Sequence, residues 1–347
     1  MADGASSAMS MNVLQEPVRG GTGHPSLASL TGVEAMRTWL DGRSPAPPLA
    51  RLTGRRLIAV DVGTATFVLP ITPWVLGPKG RVHKGVLAFL AGAPLFGAVQ
   101  STLAEGTSCT TAEISMTFLG LPPRGGGDLT ATGRLIATAG DTGLAAVDVT
   151  APDGRLVAHG TARCLIFDPV DPATVPAPEA AAPEPSWPTP DPWRRELPGQ
   201  PSSDADFAGM SGLEVLHATL RGDLPRPPID RLTGMRLLKA DEGRVEFAMP
   251  ASGWLAQEFG AIFGGAIALL GMSAASAAVQ TTAEVGTAFA ALDVKVNLLR
   301  PVLPDGEDLI ATGTVLHRGR RLAIGTSEVR HGDRLVAVVT GTTELSR

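Results

Sequence analysis

Hydrophobic residues near the start of the chain follow the spacing of a helix. Leu27, Leu30, Val33, Met36 and Leu40 lie three or four positions apart, which places their side chains on one helix face. A glycine and several prolines follow, and such residues end helices. The pattern predicts a short amphipathic helix that ends near residue 42, and a similar pattern over residues 207–220 predicts a second one.

Each half of the chain also contains a long apolar run, at about residues 84–103 and 264–283. Pro94 lies inside the first run, so we expect a kink or a restart of the helix there. The second run belongs to an uncharged stretch, residues 261–279, that is long enough to span a bilayer. That stretch is rich in Gly, Ala and Ser, and its counterpart carries His83 and Lys84. We therefore expect helices buried on all sides and no membrane span.

The hydrophobic period changes to two behind each long helix. Leu292, Val294, Val296 and Leu298 alternate with polar residues, and residues 112–118 show the same alternation. Further strands are expected at residues 55–70, 235–250, 309–317, 321–330 and 334–343. Short turns join the last three, so we expect an antiparallel meander with one covered face.

The two halves are copies of one another at a constant offset of 180 residues. Residues 47–54 align with residues 227–234, and the register continues through Trp74 and Trp254. An offset that persists over a whole domain predicts two similar domains that pack as an internal pseudo-dimer.

The domain boundaries follow from composition. We predict a disordered tail over residues 1–24, a first domain over 25–168, a linker over 169–204 and a second domain over 205–347. Pro, Ala, Asp and Glu dominate the linker, which is typical of a semi-rigid spacer. Its two tryptophans, Trp187 and Trp193, either dock it onto a domain or leave it as a solvated tether.

Composition narrows the function classes. The chain has 347 residues, 44% of them hydrophobic, which suffices for two cores. Its net charge of −5 argues against a nucleic-acid partner. Cys109 and Cys164 show neither a disulfide framework nor metal-ligand spacing, so we expect buried, inert thiols and no metal. No secretory signal pattern is visible near the start, which favours a cytoplasmic location.

Several motifs, taken in order, resemble the hotdog-fold thioesterases of the PaaI type. They are Gly-Arg-Val-His-Lys-Gly at residues 80–85, Ser-Gly-Leu-Glu at 211–214, Asn-Leu-Leu-Arg-Pro at 297–301 and His-Arg-Gly-Arg-Arg at 317–321. The resemblance covers both repeats and implies an α+β fold of two tandem hotdog domains. In this fold a curved antiparallel sheet wraps a long central helix, and two units pair edge to edge with active sites at the interface. Relatives are often tetramers, which would make this chain a homodimer of fused pairs.

Hydrolysis of a thioester requires fixed N–H donors at the carbonyl oxygen. The resemblance assigns these donors to a His-Gly-Gly segment at the start of the central helix, where the helix dipole adds partial positive charge. The first copy keeps His83 and Gly85. The second copy keeps Gly264 and Gly265 and has Phe263 in place of the histidine. Because the donors are backbone amides, neither replacement by itself removes the oxyanion hole.

The resemblance also implies an acidic residue nine positions after the histidine, but Gly92 and Met272 stand there. Gln257 occupies a position where relatives carry an amide near the thioester oxygen. Thr111 matches a hydroxyl that orients water in some relatives. Several residues could replace the missing carboxylate: Ser273, Ser276, Glu113, Asp293 and His83. For Glu113 and Asp293, a solvated or sheet-edge role is the competing interpretation.

The densest basic cluster in a folded region consists of His317, Arg318, Arg320 and Arg321, with Arg300 nearby. In relatives this segment approaches the nucleotide end of coenzyme A, whose phosphates suit arginine. A solvated hairpin turn is the alternative. No cofactor is expected other than coenzyme A as part of the substrate. Phe89, Phe96 and Phe263 either shape an aliphatic pocket or belong to the ordinary core.

Two composite sites are therefore expected, one between residues 83–85 and the second central helix, and one between Gln257, Gly264–Gly265 and the first central helix. Each copy lacks residues that the other keeps, so the sites should differ. The leading hypothesis is an acyl-CoA thioesterase-like protein. The alternatives are a non-catalytic acyl-CoA binder or regulatory pseudoenzyme and, more weakly, a hydratase on the same fold.

Overall fold

The computed structural model describes residues 13–177, 184–199 and 202–346. Both repeats have the same order of elements: two short helices, a β-hairpin, a long helix and a meander of strands. The first repeat contains α1 (Gly32–Leu40), α2 (Pro48–Thr53), β1 (Arg56–Asp61), β2 (Thr64–Pro70), α3 (Lys84–Gln100), β3 (Cys109–Phe118), β4 (Asp128–Ala139), β5 (Thr142–Thr150) and β6 (Leu156–Ile166).

The second repeat contains α4 (Gly212–Arg221), α5 (Pro228–Thr233), β7 (Arg236–Asp241), β8 (Arg244–Pro250), α6 (Gly264–Gln280), β9 (Ala288–Ala291), β10 (Asp293–Leu298), β11 (Asp308–Arg318), β12 (Leu322–His331) and β13 (Arg334–Ser346). The meanders expected from the period-two pattern are thus present in both copies. The second copy divides its first long strand into β9 and β10.

All thirteen strands of the described residues form one antiparallel sheet. The order is β1-β2-β4-β5-β6-β3 in the first repeat, continued by β10-β13-β12-β11-β8-β7 in the second, while β9 pairs with β13. The halves meet where β3 pairs with β10, with Ile114 opposite Val296. The tandem hotdog architecture expected from the resemblance is confirmed, with both units supplied by one chain.

The helices α3 and α6 are the buried centres of the two domains and pack against each other. Glycines on the sheet permit close contact, since a Cβ added to Gly133 would lie 2.1 Å from the carbonyl oxygen of Pro94. The helix α3 continues through Pro94, so the expected restart does not occur. No helix in the described part of the chain is long and apolar enough to cross a membrane.

Two arms exchange between the domains. The Trp254 indole of the second domain donates to the carbonyl oxygen of Glu16 at 3.1 Å, whereas the Trp74 indole of the first domain donates to that of Arg195 at 2.8 Å. The segment before each domain therefore packs on the other domain. Residues 13–24 form a packed arm where we expected a disordered tail, and residues 1–12 lie outside the described residues. In the linker, Trp193 packs beside Gly54, so this part is docked.

Candidate functional site

A cavity of about 800 Å³ lies between the two domains. The second domain contributes the loop over residues 257–263 and the start of α6. The first domain contributes the middle of α3, the start of β3 and the segment between α1 and β1. Gln257, Gly264 and Gly265 thus face Gly92 of α3 and Thr111 of β3 across the cavity, which is the second composite arrangement expected from the sequence.

The N-terminus of α6 supplies free backbone donors to this cavity. The N–H groups of Ala266 and Ile267 donate to the Phe263 carbonyl, at 2.9 and 3.3 Å, but those of Gly264 and Gly265 have no acceptor among the described residues. Only glycine fits at position 265, because an added Cβ would lie 2.8 Å from the carbonyl oxygen of Phe89. A free amide at a helix N-terminus can bind a developing oxyanion.

The corresponding donor of the first copy is already occupied. The Gly85 N–H donates to Nδ1 of His83 at 3.1 Å, and the Lys84 ammonium donates to the carbonyl oxygen of Ala291 at 2.6 Å. Burial lowers the pKa of His83 to about 4. With its Nδ1 engaged and its proton affinity reduced, His83 caps a helix and is not the general base we considered. Gly85 consequently has no amide donor available for a substrate.

Ser273 and Ser276, which we expected to face the loop at residues 83–85, do not line the cavity at the start of α6. Ser273 donates its hydroxyl to the carbonyl oxygen of Leu269 at 2.8 Å, which ties it to its own helix. Ser276 is half-buried on the same helix. Thr111 does line the cavity, with its hydroxyl oxygen 3.8 Å from the Cys164 sulfur. Thr111 therefore remains a candidate for orienting water, and Ser273 does not.

No carboxylate occupies the helix position that the resemblance marks. Gly92 lines the cavity, and a Cβ added there would lie 3.2 Å from Cζ of Phe263. The Phe263 ring also meets Phe89 edge to face, with ring centroids 5.2 Å apart. The phenylalanine that replaces histidine in this copy therefore packs against the place where a side chain of residue 92 would lie. Met272, the equivalent residue of α6, is buried.

Glu113 and Asp293 have structural partners and do not line the cavity. Glu113 accepts a hydrogen bond from the Ser115 hydroxyl at 2.5 Å and lies 3.9 Å from the Lys295 ammonium across the seam between the domains. Asp293 accepts from the Thr342 N–H at 3.0 Å. Their roles are in the sheet, which agrees with the competing interpretation of these two residues.

The two cysteines are free thiols, and both are buried. Cys109 lines the cavity beside Cys164. A hydrogen bond with the Cys164 thiol, together with burial, raises the pKa of Cys109. Because the thiolate is the reactive form, Cys109 is not an activated nucleophile at neutral pH.

An ion pair missed by the sequence analysis crosses the cavity wall between the domains. Nη2 of Arg55 lies 2.8 Å from Oε1 of Glu258. Arg55 is 1% exposed and stacks between the rings of Phe67 and Phe263, with Cζ 5.4 and 4.5 Å from their centroids. At the offset of 180 residues, Met235 and Pro78 occupy the equivalent positions. A comparison of charged residues between the repeats would have singled out this pair.

The predicted basic cluster lies away from the cavity. His317, Arg318, Arg320 and Arg321 do not line it: Nε of Arg318 donates to the Thr282 hydroxyl at 3.1 Å, and the others follow the same hairpin. Of the predicted basic residues, Arg300 alone lines the cavity. The arginines that share this lining come from the first domain: Arg43, Arg51, Arg55 and Arg56.

Aromatic side chains surround one part of the cavity. Trp39 and Phe96 each meet Phe259 edge to face, with ring centroids 5.9 and 5.8 Å apart. Phe96 and Phe263 line the cavity as we considered, whereas Phe89 supports it from the core. The cavity therefore combines free amide donors with apolar walls and arginines.

Comparisons with known proteins agree with this geometry. Residues 259–338 match the family model of the thioesterase superfamily. This match lies within the second domain. No curated protein matches the chain.

Solved structures share the fold over both domains. A thioesterase candidate from Novosphingobium aromaticivorans is 17% identical, with a TM-score of 0.52 over 84% of this chain and 98% of that one. The tesB protein of Mycobacterium avium subsp. paratuberculosis is 15% identical, with a TM-score of 0.51 over 86% and 98%. An oleoyl thioesterase candidate from Lactobacillus plantarum is 11% identical, with a TM-score of 0.51 over 83% and 98%. At these identities the likeness establishes the fold.

Proposed function

We propose that this protein hydrolyses acyl-CoA thioesters at one composite site, the cavity at the N-terminus of α6. The observation that carries the proposal is the difference between the two helix starts. The Gly265 N–H is free and faces a large cavity, whereas the equivalent Gly85 N–H is bonded to His83. The duplicated chain thus keeps one site open for substrate and has closed the other.

In the proposed reaction, the thioester carbonyl oxygen accepts hydrogen bonds at the start of α6, where the helix dipole stabilises the oxyanion that forms. Water is held by groups that line the same cavity: Thr111, Gln257 and Glu258. One Glu258 oxygen accepts from Arg55, and the other takes the proton of the attacking water. The new C–O bond then forces the C–S bond to break, and the departing thiolate receives that proton.

Coenzyme A would extend from the cavity toward the arginines of its rim. Arg43 and Arg56 are exposed in large part, and Arg300 contributes from the second domain. Their guanidinium groups suit phosphates better than the apolar walls do. This assignment replaces the hairpin at residues 317–321 as the nucleotide-binding segment.

The second candidate function is a non-catalytic acyl-CoA binder. It is favoured by Gly92, which stands where the family resemblance implies an acidic residue. The only carboxylates on the described cavity lining are Glu184 and Glu258, and both are paired with arginine. Binding of acyl-CoA without release of free thiol would establish the binder and reject the hydrolase.

The test compares the two equivalent glycines in the full chain. Release of free thiol is measured for a series of straight-chain acyl-CoAs with the wild type, Gly265→Ala and Gly85→Ala. Gly265→Ala keeps the N–H, but its Cβ would lie 2.8 Å from the carbonyl oxygen of Phe89 and should shift the start of α6. We expect the misplaced donor to lower kcat about 10²- to 10³-fold, as the loss of one oxyanion donor does. Gly85→Ala should stay within about threefold, since its amide already lies outside the reaction, although its Cβ would displace the end of Leu269 and the His83 ring. Equal losses in both variants would reject the single-site proposal.

A further inference from the structure

Unpaired hydrogen-bond donors are concentrated on the cavity. Within the described residues, seven buried side-chain polar atoms have no hydrogen-bond partner, and four of them belong to cavity-lining residues: Nε and Nη1 of Arg55, Nε of Arg51 and Nε1 of Trp39. All four are N–H donors. Native proteins pair nearly all such groups, so unpaired donors around one cavity indicate a ligand rich in acceptors.

Arg55 has the greatest need of a hydrogen-bond acceptor, because it is more deeply buried than Arg51 and Trp39. Glu258 takes one of its N–H groups, and the faces of Phe67 and Phe263 cover the guanidinium. Glu258 also compensates the charge of Arg55. The free edge of the guanidinium therefore requires an acceptor atom and does not require a second negative charge.

Arg55 lies close to the place where the thioester end of the acyl chain would bind. Its Cζ lies 4.5 Å from the centroid of the Phe263 ring, and the same ring reaches to 2.4 Å from a Cβ built on Gly265. One phenyl ring thus separates the unpaired donors from the amide that binds the thioester oxygen. A substituent that reaches Arg55 must be attached within a few carbons of the thioester.

A purely aliphatic acyl chain fits this environment poorly. Water does not reach Nε and Nη1 of Arg55, and an aliphatic chain offers these atoms no acceptor, which leaves charged donors buried and unpaired. Apolar groups such as Phe96, Ile114 and Ile267 line other parts of the cavity and suit the hydrocarbon portion.

We propose that the preferred substrate carries an uncharged oxygen, a hydroxyl or keto group, close to the thioester, and that Arg55 selects it by donating a hydrogen bond. The inference rests on the proposed function for the reaction and on the unpaired donors for the selectivity. Arg55 is a specificity-determining residue of the acyl site.

The experiment compares substrates of equal chain length in wild type and Arg55→Met. Met is chosen because Met235 fills the equivalent, fully buried position in the second repeat. The substrates are butyryl-CoA, 3-hydroxybutyryl-CoA and succinyl-CoA. In the wild type, kcat/KM for 3-hydroxybutyryl-CoA should exceed that for butyryl-CoA by at least about tenfold, since a site built to bond an oxygen discriminates against analogues that lack it. In Arg55→Met the ratio should fall to about one.

Dividing the wild-type ratio by the ratio of the variant cancels the difference in intrinsic reactivity between the thioesters. Arg134→Met, which removes an exposed arginine paired with Asp148, is the control and should keep the wild-type ratio. Should Arg55→Met fail to fold, Arg55→Lys keeps the charge but changes the donor geometry, and it should also reduce the ratio. An unchanged ratio in the folded variant overturns the proposal. A wild-type preference for succinyl-CoA over 3-hydroxybutyryl-CoA overturns it as well, because it would show selection for charge.

Binding separates this inference from the proposed function. The non-hydrolysable thioethers S-butyl-CoA and S-(3-hydroxybutyl)-CoA are titrated by calorimetry into the same proteins. A preference for the hydroxylated thioether that disappears in Arg55→Met supports the selectivity even if no acyl-CoA is hydrolysed, in which case the proposed hydrolysis alone fails. Equal affinities in the wild type reject the role of Arg55 whether or not the protein is an enzyme.

Discussion

Residues that face the cavity differ between the two repeats more than the fold requires. Arg55 is matched by Met235 and Glu258 by Pro78. Of the two rings that stack on Arg55, Phe67 is matched by Phe247 but Phe263 by His83. Both residues of the Arg55–Glu258 pair therefore occur in one copy only. The divergence has placed charge, aromatic contact and free donors together at a single helix start.

A carboxylate introduced at position 92 tests how Phe263 and Gly92 depend on each other. Gly92→Asp alone should lower stability and bring no gain in activity, because its Cβ would lie 3.2 Å from the Phe263 ring. The double variant Gly92→Asp/Phe263→Ala removes that contact and places no ring nitrogen beside the Gly265 N–H, so this donor stays free. We expect its kcat to exceed that of Gly92→Asp at least about tenfold, as measured by thiol release. Activation by Gly92→Asp alone would contradict this account of the packing.

Glu258 is the carboxylate expected to accept the proton of the attacking water. Glu258→Gln should lower kcat about 10²- to 10⁴-fold while changing KM little, since the amide keeps the shape but does not take the proton. Glu184→Gln is the matched control, because Glu184 lies on the same lining and pairs with Arg51. Similar losses in both variants would assign the effect to the electrostatics of the rim.

At the scale of elements, the two central helices differ in how they begin. The helix α3 is capped by the His83 ring, and α6 leaves its first amides open. An open helix start is less stable than a capped one by roughly 1 kcal/mol. The lower stability of the α6 start is consistent with a helix end that is kept free for a ligand. In the first copy, the His83 cap stabilises the helix start and occupies the donor that a ligand would use.

The His83 cap should make stability depend on pH. Burial lowers the pKa of His83 to about 4, so below its ordinary pKa of 6.5 the unfolded chain binds a proton that the folded chain does not. Stability from this group is therefore present above pH 6.5 and lost as the pH falls toward 4. Relative to wild type, His83→Asn should show its largest loss of unfolding free energy at about pH 7, on the order of 1–3 kcal/mol, and a smaller loss at about pH 4.5. Urea unfolding at the two pH values measures this difference.

Asp230 on α5 should make stability change with pH in the direction opposite to that of His83, so it serves as an internal comparison. Burial raises its pKa to about 7, with Arg226 opposing the shift. The folded chain then keeps a proton that the unfolded chain releases above pH 3.8, so stability is lost as the pH rises from about 4 to 7. Asp230→Asn should accordingly stabilise the protein more at pH 7 than at pH 4.5. Parallel pH profiles of His83→Asn, Asp230→Asn and wild type would refute both assignments.

Contact between the helices and the sheet depends on single glycines. A Cβ at Gly313 would lie 2.1 Å from the carbonyl oxygen of Ala274, and neither backbone segment can move without unpacking α6 from the sheet. Gly313→Ala should therefore lower the unfolding free energy by about 3 kcal/mol or more. Gly125→Ala is the control, since open space surrounds this position. It should be neutral or stabilise by about 0.5 kcal/mol. Thermal unfolding compares the two variants.

At the scale of the whole molecule, the domains are joined in two ways. The sheet is continuous through β3 and β10, and each domain receives the arm that precedes the other. A network of Glu16, Arg19, Asp191 and Arg195 also ties the N-terminal arm to the docked linker. The cavity lies between the domains, so its shape depends on this assembly and not on either domain by itself.

A double-mutant cycle on Glu16 and Arg195 tests the junction of the arms. Nη2 of Arg195 lies 2.8 Å from Oε2 of Glu16, and the Glu16 side chain is 8% exposed. We expect a coupling energy of about 1–2 kcal/mol for Glu16→Ala and Arg195→Ala. The exposed pair Lys239–Asp241 should give less than about 0.5 kcal/mol. A value for Glu16 and Arg195 as small as that of the control pair would show that the arms do not hold the domains together.

The sequence by itself determined the duplicated architecture. Apolar positions at helical spacing and then at period two recur at one offset, which predicts a buried helix and an antiparallel meander in each copy. The wrapping of the sheet around the helix was implied by the family resemblance. The family resemblance pointed to Gln257, Gly264, Gly265 and Thr111 by their positions in the sequence, and these residues share one cavity lining.

Only the tertiary structure decided which site is open. Three contacts depend on packing that local sequence patterns do not encode. They are the hydrogen bond of the Gly85 N–H to His83, the contact of Phe263 with Gly92 and the ion pair of Arg55 with Glu258. Arg55 and Glu258 are 203 positions apart in the chain. Their meeting follows from the pairing of the two domains, since burial and hydrogen-bond satisfaction are settled where separate elements come into contact.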